Sequence, residues 1–170
     1  MKVASFEAIV RALNDAKVPF IVVGGIAVNT HGYGRVTFDV DLVINLEPEQ
    51  IRRAFSALAA IGYAPSVPIM AEQFADPKRR QDWIINKQMT VLRFWSDAHR
   101  ETPLNVFVKE PFNFEEEYRS ALLVESSPGL FTRIVQYKTL LRMKSEASRS
   151  RDLADISELR LLHEGKYPNA

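Results

Sequence analysis

The sequence predicts an α/β (α+β) domain, with a mixed sheet of about four or five strands flanked by helices and a C-terminal helical pair. Three observations predict it. Short apolar runs of β type (FIVV at 20–23, MTVLRFW at 89–95 and LNVFV at 104–108) are bounded by turn residues. Between them lie stretches whose apolar residues recur with the 3.6-residue period of an amphipathic helix. From Gln136 onward the chain reads as two successive helices. At 170 residues it fits one domain with a full core, residues 18–110 supplying the core and 136–165 the helical part.

Composition sets outer limits. Hydrophobic residues make up 46% and charged residues 25%, ordinary values for a globular chain. A formal charge of +1 gives no global field that would recruit nucleic acid. With no cysteine, the chain has neither a disulfide framework nor a thiolate zinc site. No apolar stretch approaches the roughly 18 to 20 residues of a membrane span, and the N-terminus lacks a long apolar core, so a cytoplasmic address is expected.

The elements follow in order. Phe6, Ile9, Val10 and Leu13 form one stripe, which predicts a helix over 5–17 closed by Pro19. The strand at 20–23 hands over to Gly24-Gly25, where the backbone is open to close approach and a helix begins with free N–H groups that favour phosphate. Gly32 and Gly34 limit that helix, and Asn29 and His31 within it read as packing or capping residues. A second strand carries Asp39 and Asp41. Side chains alternate along a strand, so these two carboxylates project to one side, about 7 Å apart. Taken alone they read as a solvated strand face or as ligands of a hard divalent cation, Mg²⁺ or Mn²⁺. An anion cradle followed by a cation-binding Asp-x-Asp is what a nucleoside triphosphate requires.

Pro48, Ile51, Ala54, Phe55, Leu58 and Gly62 outline a helix over the sheet. Prolines at 65, 68 and 77 predict loops and short helices over 63–82, where Lys78-Arg79-Arg80 reads as a solvated face or a contact for RNA or phosphate. The runs at 89–95 and 104–108 extend the sheet. FEEEYR at 114–119 starts a helix, and 121–125 and 130–135 bracket the turn Ser127-Pro128-Gly129 as a hairpin. Ser150 is the expected N-cap of the last helix, anchored by Leu153, Ile156 and Leu159. Asp152 and Asp155 share a face three residues apart. They either pair with Arg149 and Arg151 or present Asp152 to the Asp39/Asp41 cation.

Gly24-Gly25 followed by Arg35-x-Thr37-x-Asp39-x-Asp41 resembles the signature of the nucleotidyltransferase superfamily that includes DNA polymerase beta and the aminoglycoside nucleotidyltransferases. The run from Lys144 through Arg151-Asp152-x-x-Asp155 is most similar to the bacterial abortive-infection AbiEii-type toxins and their uncharacterised relatives. The resemblance spans about 18–162. It implies transfer of a nucleoside monophosphate from a triphosphate such as ATP to an acceptor that is an RNA, a protein hydroxyl or a small molecule. It also implies that the chain is the toxin of a pair with an antitoxin protein. Asp39 and Asp41 then hold Mg²⁺, Gly24, Gly25 and Thr37 seat phosphates, and Arg35 and Lys144 supply cations. Taken alone, Arg35 reads equally as an ion-pair partner and Thr37 as a β former.

One position departs from the pattern. Where the superfamily has a third carboxylate on a neighbouring strand, the aligned residue is Asn105, which carries no charge and accepts no proton at neutral pH. Asp97 or Glu110 swinging in, Asp152 from the last helix, or catalysis with one metal ion would restore the chemistry. The alternative is a nucleotide-binding or partner-binding module of the same fold without turnover.

Overall fold

A computed structural model describes residues 1–165. Its frame is one mixed sheet of seven strands, more than the four or five expected, in the order β3-β4-β5-β2-β1-β7-β6. The helix α1 (Val3–Asp15) precedes β1 (Phe20–Val23), and α2 (Gly24–Thr30) leads through an irregular connector to β2 (Val40–Ile44). Then come α3 (Pro48–Ala60), β3 (Ala64–Pro65), α4 (Ala71–Ala75), α5 (Pro77–Lys87), β4 (Val91–Trp95) and β5 (Leu104–Phe107). The chain continues through α6 (Phe114–Ser120), β6 (Leu122–Ser127), β7 (Leu130–Ile134), α7 (Tyr137–Ala147) and α8 (Ser150–Glu164). Three strands account for the excess. The two-residue β3 hides in a proline-broken segment, and the 121–135 hairpin joins the main sheet because β7 pairs in parallel with β1.

β1 is apolar throughout because it is buried on both faces. Leu92, Phe94, Leu104, Val106, Val40 and Leu42 point to one side of the sheet, and Phe94 packs there against Phe55 of α3. Apolar residues at helical spacing fill the rest of that layer, with Ile9, Val10 and Leu13 of α1 and Ile51 and Leu58 of α3 all buried. On the opposite side, residues 39, 41 and 105 look out beside α2, α7 and α8.

Several boundaries differ from the expectation for physical reasons. α5 runs eleven residues despite its polar composition, because Pro77 sits in its first turn and the Asp76 side chain accepts a hydrogen bond from the Lys78 N–H at 2.9 Å. Ser150 lies inside α8 rather than capping it, since Arg149 is the extended N-cap residue. Leu153 is exposed and does not anchor α8, while Ile156 and Leu159 are buried. The face of α8 that turns inward is the one carrying Asp152 and Asp155.

Candidate active site at the β2–β5 acid pair

The site begins at a backbone contact. Gly24 has φ +64°, and a Cβ placed there would overlap the Asp41 carboxylate. One at Gly25 would overlap the Thr37 hydroxyl. The two missing side chains therefore let Asp41 and Thr37 press against the first turn of α2. Pairing fixes the height of the acid, since Asp41 stands opposite Val23 on antiparallel β1 and opposite Asn105 on parallel β5.

Asp41 lies on β2 and Asp39 one residue before the strand begins, rather than within it as expected, with both on the side that alternation gives them. The Asn105 amide nitrogen donates to Asp39 Oδ2 at 3.1 Å and to Asp41 Oδ1 at 2.9 Å, so both carboxylates converge on one atom. Burial, and then the charge of Asp39, push the Asp41 carboxyl up to about 6; the Asn105 hydrogen bond and the more distant Arg149 and Lys144 counteract this only in part.

The connector from His31 to Asp39 has no regular structure of its own and is held from outside. The Asn29 side chain donates to the Arg35 carbonyl at 2.9 Å and accepts from the Arg35 N–H at 3.0 Å. His31 bonds through Nε2 to the Val135 carbonyl at 2.8 Å, so both residues serve packing and capping as the sequence indicates. α8 supplies further clamps: Arg151 donates to the Val36 carbonyl and His163 to the His31 carbonyl, each at 2.6 Å.

Arg35 is not free to meet phosphate. Its guanidinium forms a two-pronged pair with Asp155, Nε to Oδ1 at 2.6 Å and Nη2 to Oδ2 at 2.8 Å. Lys144 is buried rather than solvated, with Nζ 3.1 Å from Asp152 Oδ1 and 2.6 Å from Asp155 Oδ2. Arg149 closes the chain of charges through Nε to Asp152 Oδ2 at 2.7 Å, while its side chain is 78% exposed. Burial alone would raise the Asp152 carboxyl, but hydrogen bonds from Arg149 and Lys144 outweigh it and hold the group below its ordinary value. Asp155 is held low in the same way by Arg35 and Lys144. This corrects the expectation of Asp152 as a proton acceptor beside the metal, because both its oxygens already accept from cations.

Nor do Asp97 and Glu110 swing in. Asp97 pairs with Arg100 at 2.9 Å, and Glu110 accepts from the Leu46 N–H at 3.3 Å. Among the described residues no three His, Cys, Asp or Glu side chains cluster as a metal site. The donor set nevertheless suits a single hard cation. Two carboxylate oxygens already converge on a polar atom, and turning the Asn105 amide over presents its carbonyl oxygen to the same point.

Arg149 is the residue that sequence reasoning placed only as an ion-pair partner. Its hydrogen bond to Asp152 on the α7–α8 turn raises its ionisation range, and the more distant charges of Asp41 and Asp39 add to this. The signal was its position three residues before Asp152, where a tether leaves the guanidinium free on its outer side. Two cavities of about 650 and 670 Å³ lie elsewhere, and none of these residues lines either. The acid pair sits half-buried beside the start of α2.

No family model matches the chain, and no curated protein matches it either. Solved structures do. JHP933 from Helicobacter pylori superposes with a TM-score of 0.51 at 18% identity, covering 96% of this chain and 68% of that one. A provisionally assigned nucleotidyltransferase from H. pylori gives a TM-score of 0.50 at 20% identity, covering 94% of this chain and 67% of that one. The likeness is one of fold, and it carries no assignment to the AbiEii-type branch.

Proposed function

From that shared nucleotidyltransferase fold, we propose that the chain transfers a nucleoside monophosphate from a nucleoside triphosphate to an acceptor hydroxyl. The observation that carries the reading is the convergence of Asp39 and Asp41 on one point beside the start of α2. Asp39, Asp41 and the Asn105 carbonyl would hold Mg²⁺ or Mn²⁺. A cation so held neutralises charge on the phosphates. Gly24 and Gly25 set the N-terminal backbone of α2 against Asp41, so a polyphosphate on that backbone lies next to the cation position. The more distant Arg149 adds a positive charge.

In the proposed reaction an acceptor oxygen bonds to the α-phosphorus as the bond from that phosphorus to the β-bridging oxygen breaks. Pyrophosphate leaves with the electron pair, and the acceptor proton passes to water beside the acid pair. Neither Asn105 nor the cation-bound Asp152 serves as its base. Arg35 and Lys144 act one step back, holding Asp155 and Asp152 so that the connector and Arg149 keep their places. The test is calorimetry of ATP with Mg²⁺ for wild type, Asp39→Asn and Asp41→Asn, alongside incubation of α-labelled triphosphates with RNA, protein and small alcohols. Loss of Mg²⁺-dependent affinity in both variants supports the reading; wild-type affinity in either refutes it.

The Asn105 amide lying between the acids favours a second reading, a nucleotide-binding module without turnover. Asn105→Asp separates the two. A gain in label transfer means the native site is impaired, and a loss means the amide is part of a working one-cation site. The AbiEii-type toxin role belongs to the same proposal and rests on the Lys144 to Asp155 motif. Growth arrest on expression, relieved by a neighbouring gene product, supports it.

A further inference from the structure

At the end of the sheet remote from the acid pair, a cavity of about 650 Å³ opens where the parallel strands β2 and β5 finish. Leu46 in its wall lies beyond Asp41 on the line of β2, roughly 16 Å away, and the two sites share no residue. The space outside the carboxyl ends of parallel strands is a usual place for a ligand. The walls carry two half-buried charges of opposite sign, Arg80 of α5 and Glu110 after β5. Lys78 and Arg79 of the same basic run face solvent, whereas Arg80 turns inward. It is held from one side only: Nη1 donates to the Phe74 carbonyl, and the guanidinium carbon lies 5.8 Å from the centre of the Phe74 ring. Its Nε and Nη2 have no partner among the described residues. Glu110 accepts from the Leu46 N–H through Oε1 at 3.3 Å, which leaves Oε2 open. Arg80 and Glu110 line one cavity yet form no ion pair, with each other or with any other described residue. Burial holds the Arg80 guanidinium below its usual range, and the charges of Glu110 and Asp76 offset this only in part. Around the two charges the wall is apolar, with Val108 and Phe114 buried and Leu46 and Ile84 half-buried.

We infer that this cavity binds a free α-amino acid with an apolar side chain. Two opposite charges that have lost water without meeting each other are matched by a ligand that brings both countercharges. The carboxylate takes the open Nε and Nη2 edge of Arg80 as a two-pronged pair, and the ammonium takes Glu110 Oε2. The side chain then lies against Ile84, Val108 and Phe114. An anion alone, such as phosphate, leaves Glu110 unmatched and meets the exposed carboxylates of Glu47 and Glu115 at the rim. A diamine leaves Arg80 unmatched. The inference goes beyond the transfer reaction and uses no residue of the acid pair.

The test is calorimetric titration of the full chain with L-leucine, beside leucinamide, which lacks the carboxylate, isocaproate, which lacks the ammonium, and inorganic phosphate. Wild type should bind L-leucine, and each of the other three at least about tenfold more weakly. Glu110→Gln keeps an acceptor for the Leu46 N–H and Arg80→Gln keeps a donor for the Phe74 carbonyl, so both should fold, as thermal unfolding will show. Each should lose roughly ten- to hundredfold in L-leucine affinity. Should Arg80→Gln fail to fold, Glu110→Gln decides alone. Asp39→Asn should bind L-leucine as wild type does, even where it no longer binds ATP with Mg²⁺, which separates this site from the transfer reaction. If wild type binds none of leucine, isoleucine, valine, methionine and phenylalanine at about 10 mM, the proposal is overturned. Isocaproate or phosphate binding as tightly as L-leucine overturns it too, by making the cavity a plain anion site, as does unchanged L-leucine affinity in Glu110→Gln.

Discussion

Burial and the neighbouring Asp39 raise the Asp41 carboxyl to about 6, so between pH 4 and 6 the folded chain holds a proton that the unfolded chain releases. Stability falls as pH rises through that window and stays low above it. Asp41→Asn removes the repulsion and should stabilise the protein at pH 7 by up to about 3 kcal/mol, with the difference vanishing near pH 4, measured by urea unfolding at both values. A single methyl tests the same contact from the other side. Gly24→Ala forces a left-handed backbone on alanine and drives Cβ into the Asp41 carboxylate, so Mg²⁺-dependent ATP affinity should fall at least tenfold in calorimetry. The Gly-Gly pair and the Asp-x-Asp spacing were legible because turn chemistry and strand alternation are local rules. The use of the freed space was not, since only tertiary structure shows that Asp41 and Thr37, part of the chain itself, fill it.

α7 and α8 are joined by buried charge, Lys144 with Asp152 and Asp155, as well as by apolar side chains. Lys144 is nearly enclosed between Asp152 and Asp155, so Lys144→Ala leaves Asp155 with Arg35 alone and Asp152 with Arg149 alone and should cost about 1.5–3 kcal/mol in denaturant unfolding. Asp152 and Asp155 are held below their ordinary range, so their contribution is present at neutral pH and lost as pH falls below about 4 through the folded-state values. Asp155 also holds Arg35, and through it the connector. Asp155→Asn should therefore speed amide exchange over residues 31–39 while leaving β1 and β2 protected, read by hydrogen-exchange mass spectrometry. Helical period located both helices but misplaced Leu153 as an anchor, and it was the resemblance that gave Lys144 to phosphate. Pattern rules assign apolar residues to the inside, and here the inward face of α8 carries Asp152 and Asp155, matched by cations, beside Ile156 and Leu159.

Across the whole molecule the sheet gathers its site from distant parts of the chain. The place of β5 beside β2 was expected for Asn105, but the β2-β1-β7 side of the order was beyond the sequence, because alternation marks a strand without naming its neighbours. The acid pair belongs to residues 39 and 41, Asn105 to β5, and the tethered cation to residue 149, which α8 holds through Asp152. A chain stopped after residue 149 should keep much of its sheet by circular dichroism yet lose Mg²⁺-dependent ATP affinity, since Arg35, Lys144 and Arg149 lose their carboxylates. The same geometry governs synthesis on the ribosome. A nascent chain exposes Asp39 and Asp41 long before Arg149, so the acid pair waits without that tethered guanidinium until α8 has cleared the exit tunnel.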